Sequence, residues 1–323
     1  MAVNTKAIKR RIKSVGNTKK ITKAMEMVAA SKMRKAVEAT LNTRTYATMA
    51  WDLLVSLSKT QKEKLALLKV RKVEKLLVVM ITSNRGLCGS FNSNIIRKTA
   101  EQLKDPKNIS RQRVSRAHVI EPSDTIQVDV IGIGKKGADF AKKHGYNLIA
   151  SYSDISDTPQ FIDMMHIAQV IIKAYEEGTY DKVVVAYTDF QSVISQVAKL
   201  RQVLPISEID LEKMIAEVGP GGDVEEKKEE HILETMEVDD YLFEPSREEV
   251  LNIVLPRLVE TQIYQAVLES SASEHSARMM AMRNASDAAS DMIKELNLSF
   301  NKARQASITQ EIAEIAGGAV ALE

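Results

Sequence analysis

The chain has 323 residues, of which 44% are apolar and 5% aromatic, with a formal net charge of +2; that length suits about two domains, and so few aromatics suit long helices better than a β-sandwich. A single cysteine, Cys88, excludes an internal disulfide framework and any cysteine-cluster metal site. No run of 18 apolar residues exists to form a spanning helix, and the first 25 residues are charged, without the apolar stretch of a signal peptide.

Charge is unevenly spread. Residues 1–46 hold twelve Lys and Arg against Glu26 and Glu38, whereas residues 219–245 hold ten Asp and Glu against Lys227 and Lys228. The basic end reads as a long helix over residues 4–58. Its apolar residues fall in three groups: Ile8, Ile12 and Val15; Ile21, Met25 and Val28; Met33, Val37 and Leu41. Steps of three and four within each group make a narrow stripe. Gly16 weakens the first part by about 1 kcal/mol relative to Ala. The basic residues surround the helix instead of lining one face. Nucleic acid, an acidic lipid surface or a protein socket lined with carboxylates would each satisfy them, and charge alone does not choose.

The middle has a different composition. Lys75–Thr82 (KLLVVMIT) reads as a buried strand, and SNRGLCGSFN then turns into a helix from about Asn92. Residues 104–125, with Pro106 and Pro122, read as a loop. Strands follow at Ile126–Ile133, Leu148–Tyr152, Lys182–Tyr187 and Gln196–Leu204, with helices after Gly134 and over Phe161–Tyr175. Such alternation predicts an α/β domain with a largely parallel sheet. The stretch 219–240 opens on GPGGD and continues acidic, which reads as a solvated, mobile insertion.

Two turns could carry chemistry. GIGKKG, Gly132–Gly137, follows a strand and opens a helix, the usual place for a phosphate loop. It lacks the spacing of a P-loop or a dinucleotide fingerprint and reads as an ordinary βα turn. RGLCG, Arg85–Gly89, sets Cys88 in a tight turn with no histidine near in sequence, so a free, partly buried thiol is expected. The five histidines show no metal-ligand spacing.

From Ser246 the chain reads as one helix to about Ala319. Ser246 and Glu249 form a capping box after Pro245. Ala289, Ile293, Leu296, Phe300, Ala303, Ile308, Ile312 and Ile315 form the narrow seam of a coiled coil. At 1.5 Å per residue the helix reaches roughly 100 Å, far beyond a domain core about 30 Å across. The N-terminal helix, striped in the same way, is its natural antiparallel partner. Pro256 lies inside the run. Either the helix is kinked there or it starts after it.

Two of these stretches, NTKKITKAMEMVAASKMRKA (Asn17–Ala36) and IKELNLSFNKARQASITQEIAEI (Ile293–Ile315), closely resemble the gamma-subunit family of rotary F-type ATP synthases. Weaker matches are SNRGLCGSFN, YLFEP at Tyr241–Pro245 and ARMMAMRNASD at Ala277–Asp287, so the resemblance runs in order along nearly the whole chain. It implies a fold made of a long antiparallel coiled coil of the two terminal helices plus a central Rossmann-like α/β foot that binds no nucleotide. The corresponding division is 1–60 for the first shaft helix, 61–245 for the foot with its insertion at 219–240, and 246–323 for the second shaft helix.

The resemblance also implies a role. The chain would be a non-catalytic central-stalk rotor subunit, without cofactor, metal or substrate of its own, coupling proton-driven rotation of the c-ring to the beta subunits and regulating ATPase activity. Its partners would be the alpha and beta subunits of the catalytic hexamer, the epsilon subunit and the c-ring, and not nucleic acid. Its place would be peripheral, on the cytoplasmic face of a bacterial inner membrane. Met25, Arg278, Arg304, Gln305 and Thr309 would contact beta, and Tyr241 and Phe243 the c-ring and epsilon. The 104–125 and 219–240 stretches look longer than in the shortest family members. The plastid members' redox cysteine pair has no counterpart, since only Cys88 is present. The competing reading is a coiled-coil adaptor whose basic helix binds nucleic acid or a membrane surface.

Overall fold

The computed structural model describes residues 5–58, 65–113, 119–156, 158–206 and 246–320. Tyr241, Phe243 and the acidic stretch 219–240 lie outside the described residues. In chain order the elements are α1 (Thr5–Ser58), β1 (Lys75–Ile81), α2 (Phe91–Lys104), α3 (Pro106–Ser110), β2 (Gln112–Arg113), β3 (Val119–Ile120), β4 (Gln127–Ile133), α4 (Lys135–Lys143), β5 (Asn147–Tyr152), α5 (Phe161–Glu176), β6 (Lys182–Phe190), β7 (Gln196–Leu204) and α6 (Arg247–Val320).

Five strands form one sheet in the order β5-β4-β1-β6-β7. β1 pairs in parallel with β4 and β6, and β4 with β5; β7 is an antiparallel edge joined to β6 by a hairpin. β1 sits at the centre, which explains its unbroken apolar run: both of its faces are covered. Leu77, Val79 and Ile81 face α5 and α6, whereas Leu76, Val78 and Met80 face α2 and α4. The fold is therefore a three-layer α/β/α domain with one of the two long helices forming part of a layer.

The described parts of the span read as a loop at 104–125 hold a short helix and a two-stranded ladder. Asp105 caps the one-turn helix α3, accepting from the Lys107 amide with Pro106 at the first helical position, and β2 pairs with β3. Single turns and two-residue ladders leave no periodicity to detect.

α6 is continuous through Pro256. The amide that proline lacks would have bonded the carbonyl of Asn252, and Asn252 is exposed, so water can serve that oxygen. At the start, the Ser246 hydroxyl accepts from the Glu249 amide at 3.2 Å. Residues 255–276 of α6 are buried on nearly every side, between α1 and the sheet.

The two long helices run antiparallel. Thr22 and Ser286 share a hydrogen bond at 2.7 Å, while ten residues further along α1, Lys32 lines the same cavity as Ser270 and Ser271. Their seam differs from the expected one. Ile21 (61% exposed), Val28 and Leu41 point outward, and over residues 5–43 of α1 the buried residues are Thr22, Ala29, Ala36 and Thr40. In the second and third groups Met25, Met33 and Val37 are half-buried as expected, whereas Ile21, Val28 and Leu41 give way to buried neighbours, Thr22, Ala29 and Thr40. Thr22, Ala29 and Ala36 recur every seven residues, and such small side chains allow close helix approach. The first group, Ile8, Ile12 and Val15, is half-buried in the place expected for it.

Candidate functional site

The Thr22–Ser286 bond fixes how far the two helices overlap. Counting outward from it at equal rise, Thr5 lies level with Ala303. Ala303 is partly buried, and residues 304–317 after it are all exposed. Beyond that level no described residue of α1 accompanies α6, which continues for roughly 25 Å. Phe300 and Ala303 pack as expected, but Ile308, Ile312 and Ile315 (74% exposed) do not meet α1. The tip thus carries an apolar stripe with no cover inside the described chain. Arg304, Gln305 and Thr309 stand beside that stripe and are exposed. A fork of five donors, an amide and a hydroxyl next to three isoleucines form a surface that can bind protein, not a place for a reaction.

Met25 and Arg278 meet at mid-shaft, where both line a cavity of about 430 Å³ between α1, α6 and the carboxyl ends of β1 and β4. Arg278 is turned inward. It pairs with Glu274 at 2.8 Å, lies 3.3 Å from His275 Nδ1, and donates to the Gly86 carbonyl at 3.3 Å. The shaft is thereby tied to the turn that holds Cys88. In that turn Leu87 has φ 63° and Gly89 φ 55°, and the buried Cys88 sulfur accepts from Asn92 Nδ2 at 3.1 Å.

The GIGKKG turn opens into the same cavity. Its amides are already taken: Lys135 N–H donates to Asn84 Oδ1 at 3.0 Å, Lys136 N–H to the Ser83 carbonyl at 3.3 Å, and Gly137 N–H to Thr82 Oγ1 at 2.8 Å. A Cβ on Gly134, which has φ 93°, would stand 2.1 Å from the Thr82 carbonyl oxygen. The residues after β1 occupy the space that a phosphate would need. The isolated chain is therefore expected to show no ATP binding by calorimetry at micromolar protein and up to millimolar nucleotide. A saturable heat in that range would contradict the plugged turn.

Among the phenols, Tyr175, Tyr180 and Tyr264 are all shifted upward, chiefly by burial. Tyr180 also donates to Asp129 at 2.9 Å. All three stay neutral at ordinary pH, so none is present there as a phenolate base. Among the described residues no three His, Cys, Asp or Glu side chains gather as a metal site.

One group of residues escaped the sequence reading. Ser270, Ser273 and Ser276 reach from α6 to the backbone of the β6–β7 hairpin. The signal available was their spacing of three inside a helix, which favours no seam and has no obvious use there.

The family model described as ATP synthase matches residues 4–322. The chain is 41% identical over 328 residues to an ATP synthase gamma chain of Herpetosiphon aurantiacus, covering 99% of each. It is 40% identical over 322 residues to that of Roseiflexus castenholzii, covering 99% of this chain and 98% of the relative. Among solved structures it is similar to a chain of the central stalk and c-ring of the Tetrahymena thermophila mitochondrial ATP synthase. There the identity is 26% and the TM-score 0.54, with 82% of this chain and 99% of the other covered. A chain of the Euglena gracilis mitochondrial ATP synthase rotor has the same fold, at 22% identity and TM-score 0.57, with 94% of this chain and 98% of the other covered. Sequence and fold agree over nearly the full length, and the chain belongs to the ATP synthase gamma chain family.

Proposed function

We propose that this chain is the central-stalk rotor subunit of an F-type ATP synthase, a non-catalytic part that couples rotation of a membrane ring to the cycling of catalytic beta subunits. The observation that carries the proposal is the tip of α6, where Ile308, Ile312 and Ile315 are exposed beyond the described start of α1. An apolar stripe of that kind calls for a cover, and a ring of alpha and beta subunits around the shaft provides one. The names of the relatives support the same assignment. Coupling follows from asymmetry. A shaft that presents different side chains at different angles favours a different conformation of each surrounding beta subunit.

Within that function Arg304, Gln305 and Thr309 are proposed to contact beta at the tip, and Met25 and Arg278 at mid-shaft. Tyr241 and Phe243 are proposed to lie where the foot meets the c-ring and epsilon, on the strength of the YLFEP resemblance. No described helix is long and apolar enough to cross a membrane. Attachment is proposed to be peripheral, through the c-ring, on the cytoplasmic face of a bacterial inner membrane. The division into a first shaft helix (1–60), a foot (61–245) and a second shaft helix (246–323) belongs to the same proposal.

The test is co-purification from the native membrane. Recovery with alpha, beta and epsilon subunits is the expected result. Recovery alone, or with nucleic acid released by salt, would favour the adaptor reading. Deleting residues 219–240 is expected to leave the yield of that complex unchanged, because nine carboxylates, two lysines and a Gly-rich opening cannot bury enough apolar surface to hold a fold. Subunit stoichiometry on a gel checks this, and loss of assembly would make the segment a docking element.

A further inference from the structure

We propose that Ser270, Ser273 and Ser276 are positioning residues that lock the rotational setting of the shaft in the foot. The inference rests on the rotor function proposed above.

A serine inside a helix ordinarily bonds back to the carbonyl four residues earlier. Ser290, further along α6, does so, donating to the Ser286 carbonyl at 2.8 Å. The three serines do something else. Ser270 Oγ accepts from the Thr188 amide at 3.0 Å, Ser273 Oγ donates to the Thr188 carbonyl at 3.2 Å, and Ser276 Oγ donates to the Val193 carbonyl at 2.8 Å. Gln196 Nε2, on the opposite arm of the hairpin, donates to Ser276 Oγ at 3.4 Å.

The sheet explains why Thr188 has both groups to offer. β1 pairs with β6 only as far as Met80 opposite Ala186. β6 continues to Phe190, still paired with β7 on its other side. Past Ala186 the β1 side of β6 therefore lacks a strand. The amide and carbonyl of one residue in a strand point to the same side, and buried groups of this kind need partners. Ser270 and Ser273 take the place of the missing strand. Thr188 and the three serines are all buried, Ser273 and Ser276 to 0% exposure.

These bonds differ in kind from the rest of the joint. Leu255, Leu258, Val259 and Ile263 of α6 pack on the sheet as part of one apolar core. Apolar burial is non-directional and resists separation more than it resists turning or sliding. Hydrogen bonds weaken steeply with misalignment. Three of them, spread over two turns of helix, fix both the height and the rotation of α6 against the hairpin. A rotor needs that setting, because torque entering at the foot must leave through the shaft without slip.

The test uses the assembled complex with the hexamer immobilised, rotation arrested and a bead attached to the foot. In the triple variant Ser270→Ala, Ser273→Ala, Ser276→Ala the variance of the bead angle is expected to rise about twofold or more over the natural chain. Subunit stoichiometry and unloaded hydrolysis should be unchanged. Ser290→Ala should leave the variance alone. Ile263→Val, which weakens the same interface by loss of packing, should lower the melting temperature without changing the variance. Equal variance in triple variant and natural chain would overturn the proposal, as would an equal rise in Ile263→Val. If the triple variant does not assemble, Ser270→Ala alone decides: faster exchange of the Thr188 amide together with greater variance supports the lock, and unchanged variance overturns it. A natural complex that hydrolyses ATP without turning the bead would instead count against the rotor function itself.

Discussion

The double variant Arg304→Ala, Gln305→Ala is expected to turn over several-fold more slowly than the natural chain in the assembled complex. Both side chains sit just past Ala303, beyond the described start of α1, and both are exposed, so neither is packed in the coil. Gln305 and Thr309 share one face of the helix, and Arg304 lies about 100° around from Gln305. Alanine is the better helix former at both positions, so helix content and assembly should survive. What is removed is a set of charge-assisted and neutral donors proposed to meet beta at some rotor angles and not at others. Hydrogen bonds to charged groups contribute about 1.5–3 kcal/mol. A difference of about 1 kcal/mol in one barrier already changes a rate roughly fivefold. Turnover per assembled complex, with stoichiometry measured on the same sample, is the readout. Natural turnover would remove these residues from the coupling contact, and failure to assemble would make them structural.

The second large effect is expected inside the seam. Ala36→Leu should lower the melting temperature of the purified chain by several degrees, whereas Ile21→Ser should shift it hardly at all. Ala36 is 3% exposed, and the register set by Thr22 and Ser286 brings it level with Ala272, itself buried. Three added carbons have no room where two helices approach over alanines, and overpacking of this kind costs about 1–3 kcal/mol. Ile21 is a larger apolar residue but faces outward, so its loss removes little burial in the isolated chain. A thermal melt followed by circular dichroism checks both. If Ile21→Ser were the more damaging, the seam would run through the large residues after all.

That pair also marks where the sequence was readable and where it was not. Hydrophobic runs located β1, β4 and β6, because strands covered on both faces are apolar throughout. The antiparallel turn of β7 was not visible, since direction depends on the hairpin and not on composition. In α1 the sequence was misleading at three positions. Large apolar residues mark a seam only when the isolated chain supplies the cover. Here Ile21, Val28 and Leu41 are exposed, and Thr22, Ala29 and Ala36 pack. The same logic inverts at the tip, where Ile308, Ile312 and Ile315 continue the expected stripe past the described start of α1 and are exposed. Met25 and Arg278 were brought into one cavity; the pairing of Arg278 with Glu274 follows from their spacing of four on one helix, but its bond to the Gly86 carbonyl depends on a turn 192 residues away and could not be read from spacing. The three serines were invisible for a similar reason. Their partners are backbone groups left over where β1 ends before β6, a mismatch of strand lengths that no local pattern records.

The most direct measurement of the central claim is rotation itself. The complex is held by its beta subunits, a bead is attached to the foot of this chain, and ATP is supplied. Unidirectional turning of the bead, slowed as ATP is made limiting, is the predicted result. Sustained hydrolysis with the bead fluctuating about one fixed angle would contradict it.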